Sequence, residues 1–524
     1  MIPAGLKTVT EIYRHYIQTV EAQTPVFAFD DRLVSAGDFR RMVAEQTGYL
    51  RGLGVSTGSM VGYALPNRPE IFSLFLALSN LGACAIPVFH QLPDAAKAAT
   101  FSRMGASIVI TTAALYPALF AESQRQAAAY LLVTIDPQAQ APYFSVSTRQ
   151  TLPLETLTPP GPDLAMLMAT SSGTTGIPKT VRISQGNVAS EIYVSLALSR
   201  SVSDQPYRTL IAFPLSTSAI TVLLGSLFAG ICQVFSADIS PPHYLRLLEK
   251  WRPAGFTAPP SYFEAFIGQP GLAGVDCSCI KFILTGMDFF TPALLARVKA
   301  KWPSLERFTS GYGLIETSNV MMLCPIAVGA DDVTNRMELV PGLGNKMIVR
   351  TETGDPVTLG EAGELTFQGP NVVAGYPADP VESAACFVDG WFRTGDIVRL
   401  EAEASVTLLG RKKYLIKRGG KSVSPIVVQN QLNRLAGIRD SAVVGVPHPL
   451  YGEMTWAFVV RASPGAPGYG EIMRHCRESM ANYMVPDHIV FIPDIPRNPG
   501  VGKVNFEKLR EMAGLELAAM GGQQ

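Results

Sequence analysis

Helix-like and strand-like stretches alternate along the first 330 or so residues, and this alternation constrains the fold more than any other feature of the chain. "SAGDFRRMVAEQTGYLRGLG" opens on a serine able to cap a helix and carries an apolar stripe; the strand-like "SMVGYALP" follows it. "EIFSLFLALSNLGACAIPV" repeats the order, "ASIVITT" is a further strand, and "YLRLLEKWRPAGFTAPP" and "ALLARVKAKWPSLERFTSGYG" continue the series. A chain that returns from helix to strand in this way builds a largely parallel sheet covered by helices. After about residue 330 the texture changes. "NKMIVRTETGDPVTLGEAGELTFQGPNVVAGY" has short strands and frequent glycine turns with no helical period, which predicts a β-rich, barrel-like subdomain over about 330–412. A last alternating section follows, so a boundary is expected near Lys413, with residues 1–412 in a large N-terminal domain and 413–524 in a small C-terminal one.

Length and charge exclude some classes. A chain of 524 residues is too long for one core. Lysine plus arginine equals aspartate plus glutamate at 43 each, which argues against a nucleic-acid coat or a membrane-surface protein. No charge occurs from Thr209 to Ala237, but the apolar core of that stretch is short for a span and holds interior glycines. A buried helix running into a buried strand is expected there. The seven cysteines are scattered and Cys277–Cys279 has no partner motif for zinc, so a reduced, cytoplasmic setting is expected. The N-terminus lacks a basic-then-apolar signal pattern.

The run "TSSGTTGIPKTV", Thr170 to Val181, is the most unusual part of the sequence. Glycines let backbone N–H groups turn toward an anion, hydroxyls add donors and a lysine adds charge. Thr170, Ser171, Ser172, Gly173, Thr174, Thr175, Gly176 and Lys179 therefore read as a phosphate cradle between two strands. A Walker A loop is excluded, because Ile177 and Pro178 separate the last glycine from the lysine; "RGGKS" at Arg418–Ser422 lacks the leading glycine. Read alone, the run could also be a Ser/Gly surface turn.

This loop resembles the signature of the adenylate-forming superfamily, which includes acyl- and aryl-CoA synthetases, adenylation domains and luciferases. "GYGLIETS", "GELTFQGPNVVAGY", "GWFRTGD", "GRKKYLIKRGGKSVSP" and "PRNPGVGKVNFEKL" resemble its later motifs, in the same order. The resemblance implies two stacked α/β subdomains plus the β-rich one, and a mobile α+β C-terminal domain. It also implies roles. Lys179 and the neighbouring hydroxyls hold the ATP phosphates, Tyr312 and Gly313 meet adenine, Glu316 binds Mg2+, and Asp396 and Arg411 take the ribose. Lys503 stabilises charge during adenylation, Lys413 is the hinge, and Gly419 and Gly420 line the approach of the thiol acceptor. An acyl pocket would draw on Thr217, Ser218, Ile220, Ser261, Gly286, Met287, Ser310 and Gly311. It offers neither an aspartate for an ammonium nor an arginine for a second carboxylate, which suits an uncharged acyl or aryl acid.

The implied activity is activation of a carboxylic acid with ATP and Mg2+, followed by thioester formation with CoA. Two alternatives stand beside it: loading of a separate carrier protein's phosphopantetheine, and a catalytically weak nucleotide-binding protein. The latter is suggested by two departures from the family pattern, Ile315 in place of a threonine and Thr217 in place of the residue that gates the carboxylate; Thr180 for a glycine and Gln185 for a histidine are further departures. No nucleic-acid partner and no membrane span are expected.

Overall fold

A computed structural model of the protein describes residues 2–136, 157–170, 179–203, 206–286, 290–326, 335–341, 344–498 and 504–521. The alternating pattern becomes two sheets with helices between them. One sheet has the spatial order Leu131–Thr134, Ile108–Thr111, Met60–Ala64, Cys84–Pro87, Ala165–Thr170 and Thr180–Ser184, parallel except for its last pair. In the other, the strands Cys232–Phe235, Arg208–Ile211, Gly255–Thr257, Phe282–Gly286 and Arg307–Leu314 run parallel.

Helices Ala36–Gly52, Pro69–Leu81, Gln185–Val202 and Ile220–Phe228 supply the layer between the sheets. Ser35 starts the first with a capping box whose other half is Asp38. Pro69–Leu81 is apolar nearly all round and buried along its whole length, as a helix between two sheets must be. One core joins Val61 and Ile110 of the first sheet, Phe72, Ile192 and Leu224 of the helices, and Phe27 and Phe235 of the second sheet. Each such side chain contributes about 1.5–3 kcal/mol when fully buried. Gly225 sets the helix spacing, because a Cβ there would lie 2.2 Å from Ser195 Cβ. A second core, around Phe256, Phe263, Phe308 and Trp302, fills the outer face of the larger sheet.

The charge-free stretch folds as expected, into the helix Ile220–Phe228 and the buried strand Cys232–Phe235. Among the described residues no helix is long and apolar enough to cross a membrane.

The β-rich stretch is joined to the α/β part rather than set apart from it. Strand Arg307–Leu314 reverses through a turn in which Ser318 (φ 54°) and Asn319 (φ 98°) are left-handed, and returns as Asn319–Ile326. Arg336–Leu339, Ser405–Arg411, Trp391–Ala402, Ala362–Gln368 and Lys346–Arg350 then extend the same sheet, strand by antiparallel strand. The chain leaves this sheet at Arg411, passes through a 3-10 turn over Lys412–Tyr414, and enters a separate 5-stranded sheet at Ile416. That sheet, with helices Pro425–Arg434, Tyr469–Ser479 and Phe506–Gly521, has apolar clusters of its own around Val443 and Trp456.

Candidate active site

The strands flanking the phosphate segment pair antiparallel, with Thr170 opposite Thr180. Ser171, Ser172, Gly173, Thr174, Thr175 and Gly176 lie outside the described residues, as do Met287 and Lys503. Lys179 is described. Its ammonium sits 4.9 Å from the centre of the Tyr376 ring and pairs with the Glu382 carboxylate. The Tyr376 hydroxyl donates to Glu316 Oε1 at 2.9 Å. Burial, and then the Glu316 carboxylate, push the Tyr376 phenol far up, so it stays a donor. Two residues picked from motifs far apart in sequence, Lys179 and Glu316, thus meet on opposite parts of one tyrosine.

Glu316 is 7% exposed and its carbonyl accepts the Val373 N–H at 3.0 Å. Tyr376 takes one carboxylate oxygen; the other has no hydrogen-bond donor among the described residues. Among those residues no group of three or more potential ligands gathers. One hard oxygen on the tyrosine that Lys179 also contacts fits magnesium, which draws most of its ligands from phosphate and water.

Glu382 was not singled out in the sequence. It lies on the short helix Pro380–Cys386, which Asp379 caps by accepting the Glu382 N–H at 2.9 Å. Lys179 holds the Glu382 carboxyl below its ordinary range. If Lys179 grips ATP phosphates, as the sequence resemblance implies, they must take it away from a carboxylate that already pairs with it. Glu382→Gln is expected to lower the KM for ATP about two- to fivefold at low salt, the range set by partly exposed pairs, and the gain should shrink as salt rises. A higher KM in steady-state assays would show instead that Glu382 helps to hold the metal.

Tyr312, Asp396 and Arg411 form the second part of the site. Strands Trp391–Ala402 and Ser405–Arg411 place Asp396 directly opposite Arg411. Arg411 Nε lies 2.8 Å from Asp396 Oδ1, and the Tyr312 hydroxyl donates to Oδ2 at 2.6 Å. Asp396 is 4% exposed. Burial and the Asp396 charge hold the Tyr312 phenol far above its ordinary value. Gly313 has a structural reason of its own: a Cβ there would lie 1.4 Å from the Asn319 carbonyl oxygen across the hairpin.

The predicted acyl-pocket residues do not all come together. Thr217 and Ser261 line a cavity of about 270 Å³ with Phe213, Pro214, Ile239 and Tyr262. Ile220 points into the core between the sheets instead. Gly286 faces Gly311 and Thr285 faces Ser310 in the neighbouring strand pair. Ser218 connects the cavity wall to the Glu316 turn: its hydroxyl meets Asn319 Oδ1 at 3.3 Å, and Asn319 Nδ2 donates to its carbonyl at 3.1 Å.

Lys413 lies in the turn between the two sheets with its ammonium 4.3 Å from the Tyr414 ring centre. Tyr414 stacks on Phe506 at 4.6 Å. Arg497 bridges to Val504 and the Asn505 N–H donates to Pro496 O at 2.8 Å, so the two ends of the segment that contains Lys503 are tied together. Gly419 (φ 55°) and Gly420 (φ 76°) form the tight turn beyond, where the Gly419 N–H donates to Tyr451 O at 2.8 Å. Of the departures, Gln185 is a fully buried structural residue that accepts from the Val9 N–H and the Ser79 hydroxyl. Ile315 packs against the first core.

Residues 16–377 match the AMP-binding enzyme family, and residues 428–501 match its C-terminal domain. A feruloyl-CoA synthase from Amycolatopsis is 28% identical over 482 residues, covering 91% of this chain and 93% of that one. An indoleacetate–CoA ligase from Aromatoleum aromaticum is 27% identical over 492 residues, covering 92% and 94%. The amide bond synthetase McbA from Marinactinospora thermotolerans superposes with a TM-score of 0.85 at 20% identity, covering 96% of this chain and 99% of that one. With a family match across most of its length and that family's motifs set around Tyr376 and Asp396, the chain belongs to the AMP-binding enzymes of the adenylate-forming superfamily.

Proposed function

We propose that the chain activates an uncharged aryl or acyl carboxylic acid as its acyl-adenylate and passes the acyl group to CoA. The observation that carries this reading is the meeting of Lys179 and Glu316 on Tyr376, together with the separate Tyr312–Asp396–Arg411 cluster. The first group suits phosphates and the second suits a nucleoside. Asp396 and Arg411 hold the ribose, the Tyr312 ring lies against adenine, and Lys179 with the hydroxyls of Ser171, Ser172, Thr174 and Thr175 grips the β- and γ-phosphates. A magnesium ion held by Glu316 supplies charge neutralisation on the phosphates when bound.

A carboxylate oxygen of the acid attacks the α-phosphorus, and pyrophosphate leaves. Lys503 stabilises the negative charge that gathers there. No general base is needed, because a carboxylic acid is already ionised at neutral pH. Rotation of the C-terminal domain at Lys413 then removes Lys503 and brings Gly419 and Gly420 to the thiol. The thiol sulfur attacks the acyl carbon, AMP leaves, and the thiol proton goes to solvent.

The cavity supports an uncharged acyl group. None of its lining residues among the described ones is charged. Its size suits one substituted ring, since a cavity of about 150 Å³ already takes benzene. The names of the two relatives, a feruloyl-CoA synthase and an indoleacetate–CoA ligase, point the same way. The test is pyrophosphate release across a panel of acids, with CoA, a holo-carrier protein and simple amines as acceptors. Aryl-propenoic and arylacetic acids should exceed α-amino acids and dicarboxylates by about a hundredfold or more, the cost of an unpaired buried charge. CoA should be the preferred acceptor. A preference for an amino acid, or for either other acceptor, would contradict the reading.

A further inference from the structure

A buried glutamate that belongs to none of the motifs lies beneath this site. Glu191 is on the helix Gln185–Val202, which follows directly on the strand that Lys179 leads into. It is 0% exposed. The Val320 N–H and Asn371 Nδ2 both donate to its Oε2 at 3.2 Å, and the Ser195 hydroxyl meets its Oε1 at 3.2 Å. Val320 begins the chain's return from the Glu316 turn. Asn371 begins the stretch that gives Val373 to the Glu316 carbonyl and Tyr376 to its carboxylate.

The turn itself needs holding. Ser318 and Asn319 are consecutive non-glycine residues at positive φ. Such backbone persists only where its surroundings over-determine it. The Ser318 hydroxyl donates to Asn371 O at 2.8 Å, and Asn319 Nδ2 donates to Thr221 Oγ1 at 2.7 Å. Asn371 Oδ1 in turn accepts from Asn345 Nδ2 at 2.9 Å and from the Ser190 hydroxyl. Among the described residues of this network, Glu191 is the one side chain bonded both to the backbone after the turn and to the segment that presents Tyr376.

We propose that Glu191 is a positioning residue for the metal site: it locks the Glu316 turn and the Asn371–Tyr376 segment onto the helix that follows Lys179. It acts through hydrogen bonds rather than charge. Burial, against the pull of its three donors, holds the carboxyl well above the ordinary carboxylate range, so a neutral amide of the same shape can replace it. The inference rests on the reading of Glu316 as the magnesium ligand.

The test is calorimetric binding of ATP by the full chain at a series of Mg2+ concentrations, without acid or CoA. In Glu191→Ala two buried N–H groups lose their acceptor, and the Mg2+ midpoint for ATP binding should rise on the order of tenfold. Glu191→Gln keeps the acceptor oxygen and should stay within about threefold of wild type, the scale of one neutral hydrogen bond. An unchanged midpoint in Glu191→Ala would overturn the proposal, as would a Glu191→Gln midpoint as high as that of alanine. Should Glu191→Ala fail to fold, Ser318→Ala opens the same clamp from its other side. It should raise the midpoint too, and no shift would overturn the proposal. A wild-type protein that releases no pyrophosphate with any acid, yet shows this ordering of Mg2+ midpoints, would overturn the proposed reaction and leave the role of Glu191 standing.

Discussion

Lys503→Ala is expected to slow acyl-adenylate formation by about 10²–10³-fold or more, the range seen when one charge-stabilising donor is removed from a transition state. Two anionic reactants meet at the α-phosphorus, and a placed ammonium acts only while that charge accumulates. ATP binding should change little, because the residues proposed to hold the nucleotide lie outside the C-terminal sheet: Tyr312, Asp396 and Arg411 on the larger sheet, and Lys179 beside the smaller one. Thioester formation from supplied acyl-adenylate should fall far less, since the leaving AMP already carries its charge on the nucleotide side. Single-turnover measurements of the two half-reactions separate these outcomes. Equal losses in both would sink the assignment. Arg497 and Val504 are bridged, and Phe506 beyond them stacks on Tyr414 in the turn that bears Lys413.

Asp396→Ala should have an effect of similar size on a different quantity. The carboxylate is buried and paired with Arg411, and the proposed reading has it accept two ribose hydroxyls. Each hydrogen bond to a charged group is worth about 1.5–3 kcal/mol, so losing two should raise the KM for ATP by about a hundredfold or more. Part of any such loss could come from the unpaired Arg411, so a comparison within each protein is cleaner. Wild type should discriminate against 2′-deoxy-ATP by about tenfold, one such bond at the low end of that range. The alanine variant should accept ATP and 2′-deoxy-ATP almost equally. If the variant keeps the wild-type ratio, Asp396 does not hold the ribose.

The layered fold was legible because its signals are local. The Ser35 capping box, the largely apolar helix Pro69–Leu81 and the helix-then-strand reading of the charge-free stretch each depend on residues a few positions apart. Tyr312, Glu316 and Asp396 were legible as members of ordered motifs. Tyr376 closes one of those motifs and could have been found as its only tyrosine. Glu382 could not: its partner Lys179 is 203 residues away, and no periodicity marks either as half of a pair. Glu191 was hidden for a related reason. It sits in a helix whose sequence reads as ordinary packing, and its partners come from a strand and a loop that only the folded sheet brings near. The cavity beside Thr217 and Ser261 was the least legible part, since its walls are the loops and helix ends beyond several strands, and a residue such as Ile220 can turn to the core instead. Gly313 carries a constraint that its motif did not reveal: a Cβ there would meet the chain's own Asn319 carbonyl across the hairpin.

The central claim is that a carboxylate oxygen of the substrate acid bonds to the α-phosphorus of ATP. Running the acid-dependent reaction with the acid labelled by 18O in both carboxylate oxygens, with CoA as acceptor, tests it most directly. Mass spectrometry of the products should find one 18O in each AMP formed, one in the thioester carbonyl and none in pyrophosphate. Unlabelled AMP, or label in a phosphate released from the β or γ position, would contradict the account.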